Sequence, residues 1–307
     1  MDYIIFYSSL VTVVLIILVG YFIAWKKWND EKTNKNIVTI LLNVVWPCAL
    51  LGSFPGEFSH AHLTNFLWGV GGGFLVLLSM IVISRILFRK KTSPKNYFEY
   101  QFAFIFNNAS FLGFPLVSTL YGQDGLVPYS GFIIVFNLAL FGYGAALFRK
   151  EFRVKDLLKT FINPNVVATL LGFVFFLFSI QLPKFSDDAV RYIGAMMTPM
   201  SLICIGFMLS RANIKRILKK KMTVLTCIAQ LILDPLVTFL VLRLIGAPTY
   251  VIAILVLIQA LPTATSLGLF AEKYGGDTEN ASELVAMSTL LSAITLPIII
   301  AIMGVLI

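Results

Sequence analysis

The sequence predicts an all-α polytopic membrane protein, with ten transmembrane helices arranged as two inverted repeats of five. Three observations carry that expectation. Apolar runs near the ~20 residues needed to cross hydrocarbon recur along the whole chain. Lys and Arg are confined almost entirely to alternate connections between those runs. The helix breakers of the first half recur at matching places in the second. Composition agrees, with 58% hydrophobic and 13% charged residues and a mean hydropathy of +0.88, far outside the soluble globular range. The formal net charge of +9 does not describe a nucleic-acid-binding face, because it is divided among loops between apolar runs. Membrane lipid, and no nucleic acid, is the expected surrounding.

The first span runs from about Ile4 to Ala24 without the small-residue cleavage site of a signal peptide, so it is expected to be retained. A loop with Lys26, Lys27, Lys32 and Lys35 follows. The second span, about Ile37 to Phe54, holds Asn43, Trp46 and Pro47. The loop Pro55 to Asn65 has no Lys or Arg. The third, about Phe66 to Phe88, ends among Arg85, Arg89, Lys90, Lys91 and Lys95.

The fourth span, about Phe98 to Leu120, carries Asn107-Asn108-Ala109-Ser110-Phe111-Leu112-Gly113-Phe114-Pro115 and leaves through Tyr121-Gly122-Gln123-Asp124. The fifth, about Val127 to Phe148, contains Asn137 and runs into Arg149, Lys150, Arg153, Lys155 and Lys159. The sixth, about Pro164 to Leu182, leads to an acidic loop with Asp187 and Asp188. The seventh, about Ala189 to Leu209, contains Thr198-Pro199 and ends in Arg211, Lys215, Arg216, Lys219, Lys220 and Lys221. The eighth, about Met222 to Ile245, carries Asp234-Pro235 and Arg243. The ninth, about Thr249 to Ala271, holds Gln259 to Thr265 around Pro262, and the tenth runs from about Leu284 to Leu306.

Of the 24 Lys and Arg, 21 fall on odd-numbered connections, which places those in the cytoplasm and both termini outside the cell membrane. The halves, residues 1–150 and 151–307, carry matching punctuation: Pro47 and Pro199, Pro115 and Pro262, Tyr121-Gly122-Gln123-Asp124 and Tyr274-Gly275-Gly276-Asp277. An odd number of spans per half gives the halves opposite orientation. Inverted repeats with broken helices at corresponding positions point to a secondary transporter with its site near the midplane.

The chemistry follows from the breaks. Pro115 has no N–H and clashes with the preceding turn, so the fourth helix is expected to break near Gly113–Pro115, and the ninth near Leu261–Pro262. Backbone groups freed at that depth need protein, water or a ligand to satisfy them. A half-helix beginning there exposes N–H groups carrying a partial positive charge, and two such ends can hold a carboxylate without a buried Arg. The substrate-binding candidates are therefore Asn108, Ser110, Gly113, Pro115, Asn137, Pro262, Thr263 and Thr265, with Ser266 a further hydroxyl. Asn137 reads equally as interhelical glue. Asn43 and Trp46, beside Pro47, line a passage or simply pack. Asp234, the one acidic residue well inside a span, must be paired, protonated or water-facing; it is a candidate for coupling to a cation, H+ or Na+, or a structural group. Arg243 lies where it can snorkel to the interface.

The run Asn108-x-x-Phe111-Leu112-Gly113-x-Pro115, with Tyr121-Gly122 behind it, resembles the fourth-helix signature of the auxin efflux carrier family. Bacterial members of that family include permeases for malate, malonate and related organic acids. Pro262 with Ala271-x-x-Tyr274-Gly275, Pro297, and Pro199 with Gly206 fit the same family, so the resemblance covers nearly the whole chain. It implies helices four and nine crossing at the substrate site, a fold similar to bile acid–sodium symporters, and an elevator-like shift. It also implies a scaffold of helices 1, 2, 6 and 7, a homodimer, and a transport core of helices 3–5 and 8–10. The short connection between spans five and six replaces the long cytoplasmic domain of many plant carriers and suits a prokaryotic-type permease. Where the family often has Thr-Gly after the motif Asn, this chain has Ala109-Ser110, which reduces backbone freedom at Ser110.

The function expected is secondary active transport of a malate-like mono- or dicarboxylate across the cytoplasmic membrane, coupled to a cation, without other cofactors. An anion channel or facilitator on the same broken helices is the alternative. Enzyme chemistry is not indicated: there is no Gly-rich phosphate loop and no pair of intramembrane carboxylates. Cys48, Cys204 and Cys227 lie singly in apolar surroundings, and His60-Ala61-His62 reads as a solvated loop, so no metal is expected.

Overall fold

A computed structural model describes residues 3–88, 97–149, 161–210 and 220–306. The basic clusters at 89–95, 150–159 and 211–219 lie outside the described residues, which are helical with one isolated β-bridge and no strand. Among the described residues, six helical runs are long and apolar enough to cross a membrane: Lys32–Leu51, His60–Leu87, Ala109–Arg149, Lys184–Ser210, Lys221–Leu244 and Thr278–Gly304. Shorter apolar helices cover Val11–Trp25, Pro164–Leu177 and Thr249–Gln259.

In chain order the helices are α1 (Tyr3–Trp25), α2 (Glu31–Ile40), α3 (Trp46–Leu51), α4 (His60–Leu87), α5 (Tyr97–Ile105), α6 (Phe114–Ala139) and α7 (Ala145–Arg149). They continue as α8 (Pro164–Leu177), α9 (Lys184–Ala195), α10 (Met197–Ser210), α11 (Lys221–Leu244), α12 (Thr249–Gln259), α13 (Ser266–Tyr274) and α14 (Thr278–Leu306). Three π-helical turns, Leu41–Val45, Ala109–Gly113 and Leu140–Gly144, lead into α3, α6 and α7.

Two of those π turns explain how prolines sit inside membrane helices. Pro47 is the second residue of α3 and Pro115 the second of α6, each directly after a π turn. The wider turn moves the carbonyl that the pyrrolidine ring would strike, so the helix passes through. The interruption expected at Gly113–Pro115 is therefore not there; the non-helical backbone comes earlier, at residues 106–108. Pro199 sits in the first turn of α10, and the run is notched before it: α9 ends at Ala195, four residues earlier, Met196 keeps right-handed helical backbone, and α10 starts at Met197. The acidic stretch before span seven is helical as well, with Arg191 paired to Asp187 at 2.8 Å one turn away on α9.

The Tyr-Gly-x-Asp echo is a corner in both halves. Gly122 (φ 63°) interrupts the long run Ala109–Arg149 and Gly275 (φ 75°) ends α13, in backbone regions that favour glycine. Asp277 then caps α14 by accepting from the Asn280 amide at 2.9 Å.

The chain forms two compact units, each drawing on both halves of the sequence. One comprises Met1–Phe66, Ser110–Ser130 and Phe161–Ala212. Within it α1 crosses α10 so closely that a Cβ on Gly20 would overlap the Ile203 carbonyl, and one on Gly206 the Ile17 carbonyl. Elsewhere in this unit α3 packs on α8 and α9, and Phe66 stacks on Phe173 at 4.1 Å between centroids. The other unit comprises Leu67–Ala109, Gly131–Thr160 and Asn213–Ile307, with α11 packed against α5, α12 and α14. Gln101 donates to the Ser84 and Phe88 carbonyls (3.4 and 3.3 Å), closing the C-terminus of α4.

Candidate functional site

The candidate site lies inside the second unit, where two non-helical segments meet. After the last helical bond of α5, from the Phe106 amide to Phe102 at 2.9 Å, the chain extends through Asn107. After α12 the chain leaves helix from Ala260 to Thr265, around Pro262. The two segments run antiparallel as a β-bridge between Asn107 and Thr263. The Asn108 amide donates to the Pro262 carbonyl at 2.6 Å, and the Ala264 amide to the Phe106 carbonyl at 2.8 Å. Each segment thereby satisfies backbone groups that the other leaves without a helical partner, as hydrocarbon depth demands. Pro262 has no amide to give, and here it acts as an acceptor.

Side chains reinforce the bridge. Thr263 donates its amide to Ser288 Oγ on α14 (3.0 Å). Its hydroxyl lies 2.9 Å from Gln230 Oε1 on α11 and 3.3 Å from the Ala103 carbonyl on α5. Gln230 Nε2 reaches back to the Leu261 carbonyl at 3.4 Å. Asn107 donates through Nδ2 to Gln259 Oε1, both side chains being fully buried. Thr263 is thus an internal fastener; Asn107 and Gln259, read from the sequence as part of the two broken segments but not as site candidates, hold the bridge with it, as do Gln230 and Ser288, which sequence reasoning did not single out. The available signal was Gln230, four residues before Asp234 and hence on the same helical face.

The remaining candidates divide between the two units. Asn108 (2% exposed) and Asn137 (1%) are buried in the unit that contains the bridge. Thr265 is the half-buried residue just before α13, with no side-chain capping bond, so the first turn at Ser266 opens without a hydroxyl cap. Asp234 is in the same unit, buried near the middle of α11, and Arg243 is exposed in that helix's last turn. Ser110, Gly113 and Pro115 belong to the other unit, in the π turn and the start of α6. So do Trp46, which is buried, and Asn43, whose exposed amide bonds the Thr39 carbonyl of its own rod at 2.8 Å. His62 lies 3.4 Å from Asp124, and the ring of His60 meets Phe58 edge-on. No group of three metal-ligating side chains occurs among the described residues.

The membrane transport protein family matches this chain twice, over residues 5–153 and 150–300. The chain belongs to the auxin efflux carrier family. A protein of Rhizobium meliloti (strain 1021) named "Putative malonate transporter" is 25% identical over 240 residues, covering 75% of this chain and 73% of that protein. An uncharacterized transporter of Methanocaldococcus jannaschii is 22% identical over 211 residues, covering 66% of this chain and 68% of its own length. Membership makes this auxin efflux carrier homologue a membrane transport protein.

Proposed function

We propose that this auxin efflux carrier homologue is a secondary active transporter of a small organic anion, a malonate- or malate-like mono- or dicarboxylate, in the cytoplasmic membrane. Its orientation has the basic connections inside and both termini outside. The observation that carries the reading is the bridge itself: a helix N-terminus, buried amides and hydroxyls gathered at mid-span with no cation among them. Every Lys and Arg among the described residues lies at or near a helix end. A carboxylate at that depth would have to be held by hydrogen bonds from neutral donors. The first-turn amides of α13 supply some, favoured by the helix dipole, with Asn108, Asn137 and Thr265 as side-chain donors. The malonate-transporter relative supports the substrate class. Because every bond of the bridge stays inside one unit, an elevator-type shift of that unit can carry the site without dismantling it.

The test is counterflow. Purified protein in liposomes loaded with unlabelled malonate should take up labelled malonate saturably, and malate should compete. Conductance without saturation or counterflow would instead establish the channel reading.

A further inference from the structure

Among the described residues Asp234 is the one acidic side chain near the middle of a membrane span, and no bond at the bridge uses it. It is fully buried, and neither carboxyl oxygen has a hydrogen-bond partner. It continues a polar face of α11, Thr223, Thr226, Gln230, Asp234 and Thr238, each at most 1% exposed and spaced three or four residues apart.

The register of the neighbouring helices places this group. The Thr223 hydroxyl meets Asn280 Oδ1 at 3.4 Å and the Cys227 thiol the Leu284 carbonyl at 3.6 Å, so α14 runs parallel to α11 and Asp234 lies level with Leu291 and Ser292. The Gln230–Leu261 bond and the turn at Gly246 make α12 antiparallel, which puts Asp234 level with Leu257, close to the end of α12 at Gln259.

Charged and titratable groups on every element packed against α11 are remote from that level. Tyr97, Glu99 and Tyr100 on α5, and Glu279 and Glu283 on α14, belong to the end where Lys220 pairs with Glu283 at 2.5 Å. On the same register Glu283 is level with Thr226, about 12 Å along the helix from Asp234, and Lys220 is about 21 Å away. Tyr250 on α12, and Lys221 and Arg243 on α11 itself, are terminal; Arg85 on α4 donates to the Tyr143 hydroxyl at 3.1 Å. An ionised carboxylate with neither counter-charge nor donor is not sustainable at this depth. A carboxylic acid there needs only an acceptor, and Pro235 leaves the Leu231 carbonyl, three residues before Asp234, without its helical N–H.

We propose that Asp234 is the proton-binding site of this transporter: one carboxyl oxygen forms an O–H bond with a proton from water on one side and releases it to water on the other. Gln230, one turn away on the same face, holds both the Leu261 carbonyl and Thr263, so the charge state of Asp234 bears on the segment that forms the bridge. The inference rests on the transport reading above, and the two fail separately.

Infrared difference spectra of the purified protein, taken across a pH titration, should show a protonated-carboxyl C=O band that Asp234→Asn removes. In liposomes with the membrane potential clamped at zero, a gradient of about one pH unit should drive about tenfold malonate accumulation per proton carried. Asp234→Asn should abolish that accumulation while malonate exchange persists. The proposal is overturned if wild-type protein lacks the band, if Asp234→Asn leaves pH-driven accumulation intact, or if a sodium gradient alone drives it. A titrating band in a protein that moves no malonate supports the proton site and sinks the malonate reading.

Discussion

Asn108 and Thr263 lie almost opposite one another at the bridge and are expected to respond differently to substitution. A hydrogen bond to a charged ligand contributes about 1.5–3 kcal/mol, so Asn108→Ala should weaken malonate binding roughly ten- to a hundredfold. Its backbone bond to Pro262 survives the change, so expression and melting temperature should stay near wild type. Arg243→Gln, at an exposed helix end, should leave affinity almost unchanged. Titration of both variants checks the pair; loss of binding in Arg243→Gln alone would move the site to the outer mouth. Thr263→Val keeps the shape but leaves Gln230 Oε1 buried without its donor. That should cost about 1–3 kcal/mol, read as a lowered unfolding temperature in detergent.

At the scale of elements, two kinds of breaker have different consequences. Pro115 is carried by the π turn Ala109–Gly113 and breaks nothing, so Pro115→Ala should change stability by less than about 1 kcal/mol. Gly206 is the reverse case. Its place against the Ile17 carbonyl on α1 admits no side chain, and Gly206→Leu must separate α1 from α10. Overpacking of this kind costs about 1–3 kcal/mol and sometimes more, so the variant should unfold at lower temperature or fail to accumulate in membranes. Small residues at such crossings are what lets membrane helices approach closely where the hydrophobic effect gives no drive between them.

For the whole molecule, the charge pattern makes a prediction about sidedness. With the basic connections inside, a thiol reagent that cannot cross the membrane should label intact cells at Glu57→Cys, in the loop without Lys or Arg, and not at Lys27→Cys, in a variant free of the native cysteines. Labelling in the opposite sense would invert the orientation. The grouping of helices into two units, each built from both halves of the chain, confines the bridge to one of them.

Apolar runs, loop charge and breaker positions are local properties, so they were legible along the chain: the all-helical class, the membership in a transporter family, and the departure from helix around Pro262. The helix departure in the first half was misplaced by several residues. Whether Pro115 breaks a helix or is absorbed depends on a π turn, and the lengths of hydrogen-bonded turns are not written in the proline itself. The helical course of Asp187 and Asp188 was likewise hidden, since an acidic stretch beside an apolar run reads as loop until its ion pair to Arg191 is seen. The polar fasteners of the bridge were hidden for a different reason. Asn107 and Gln259 are 152 positions apart, and Thr263 and Gln230 are 33 apart. Each side chain alone is an ordinary amide or hydroxyl in an apolar run, and only folding brings donor to acceptor, because burial in hydrocarbon leaves them no other partner.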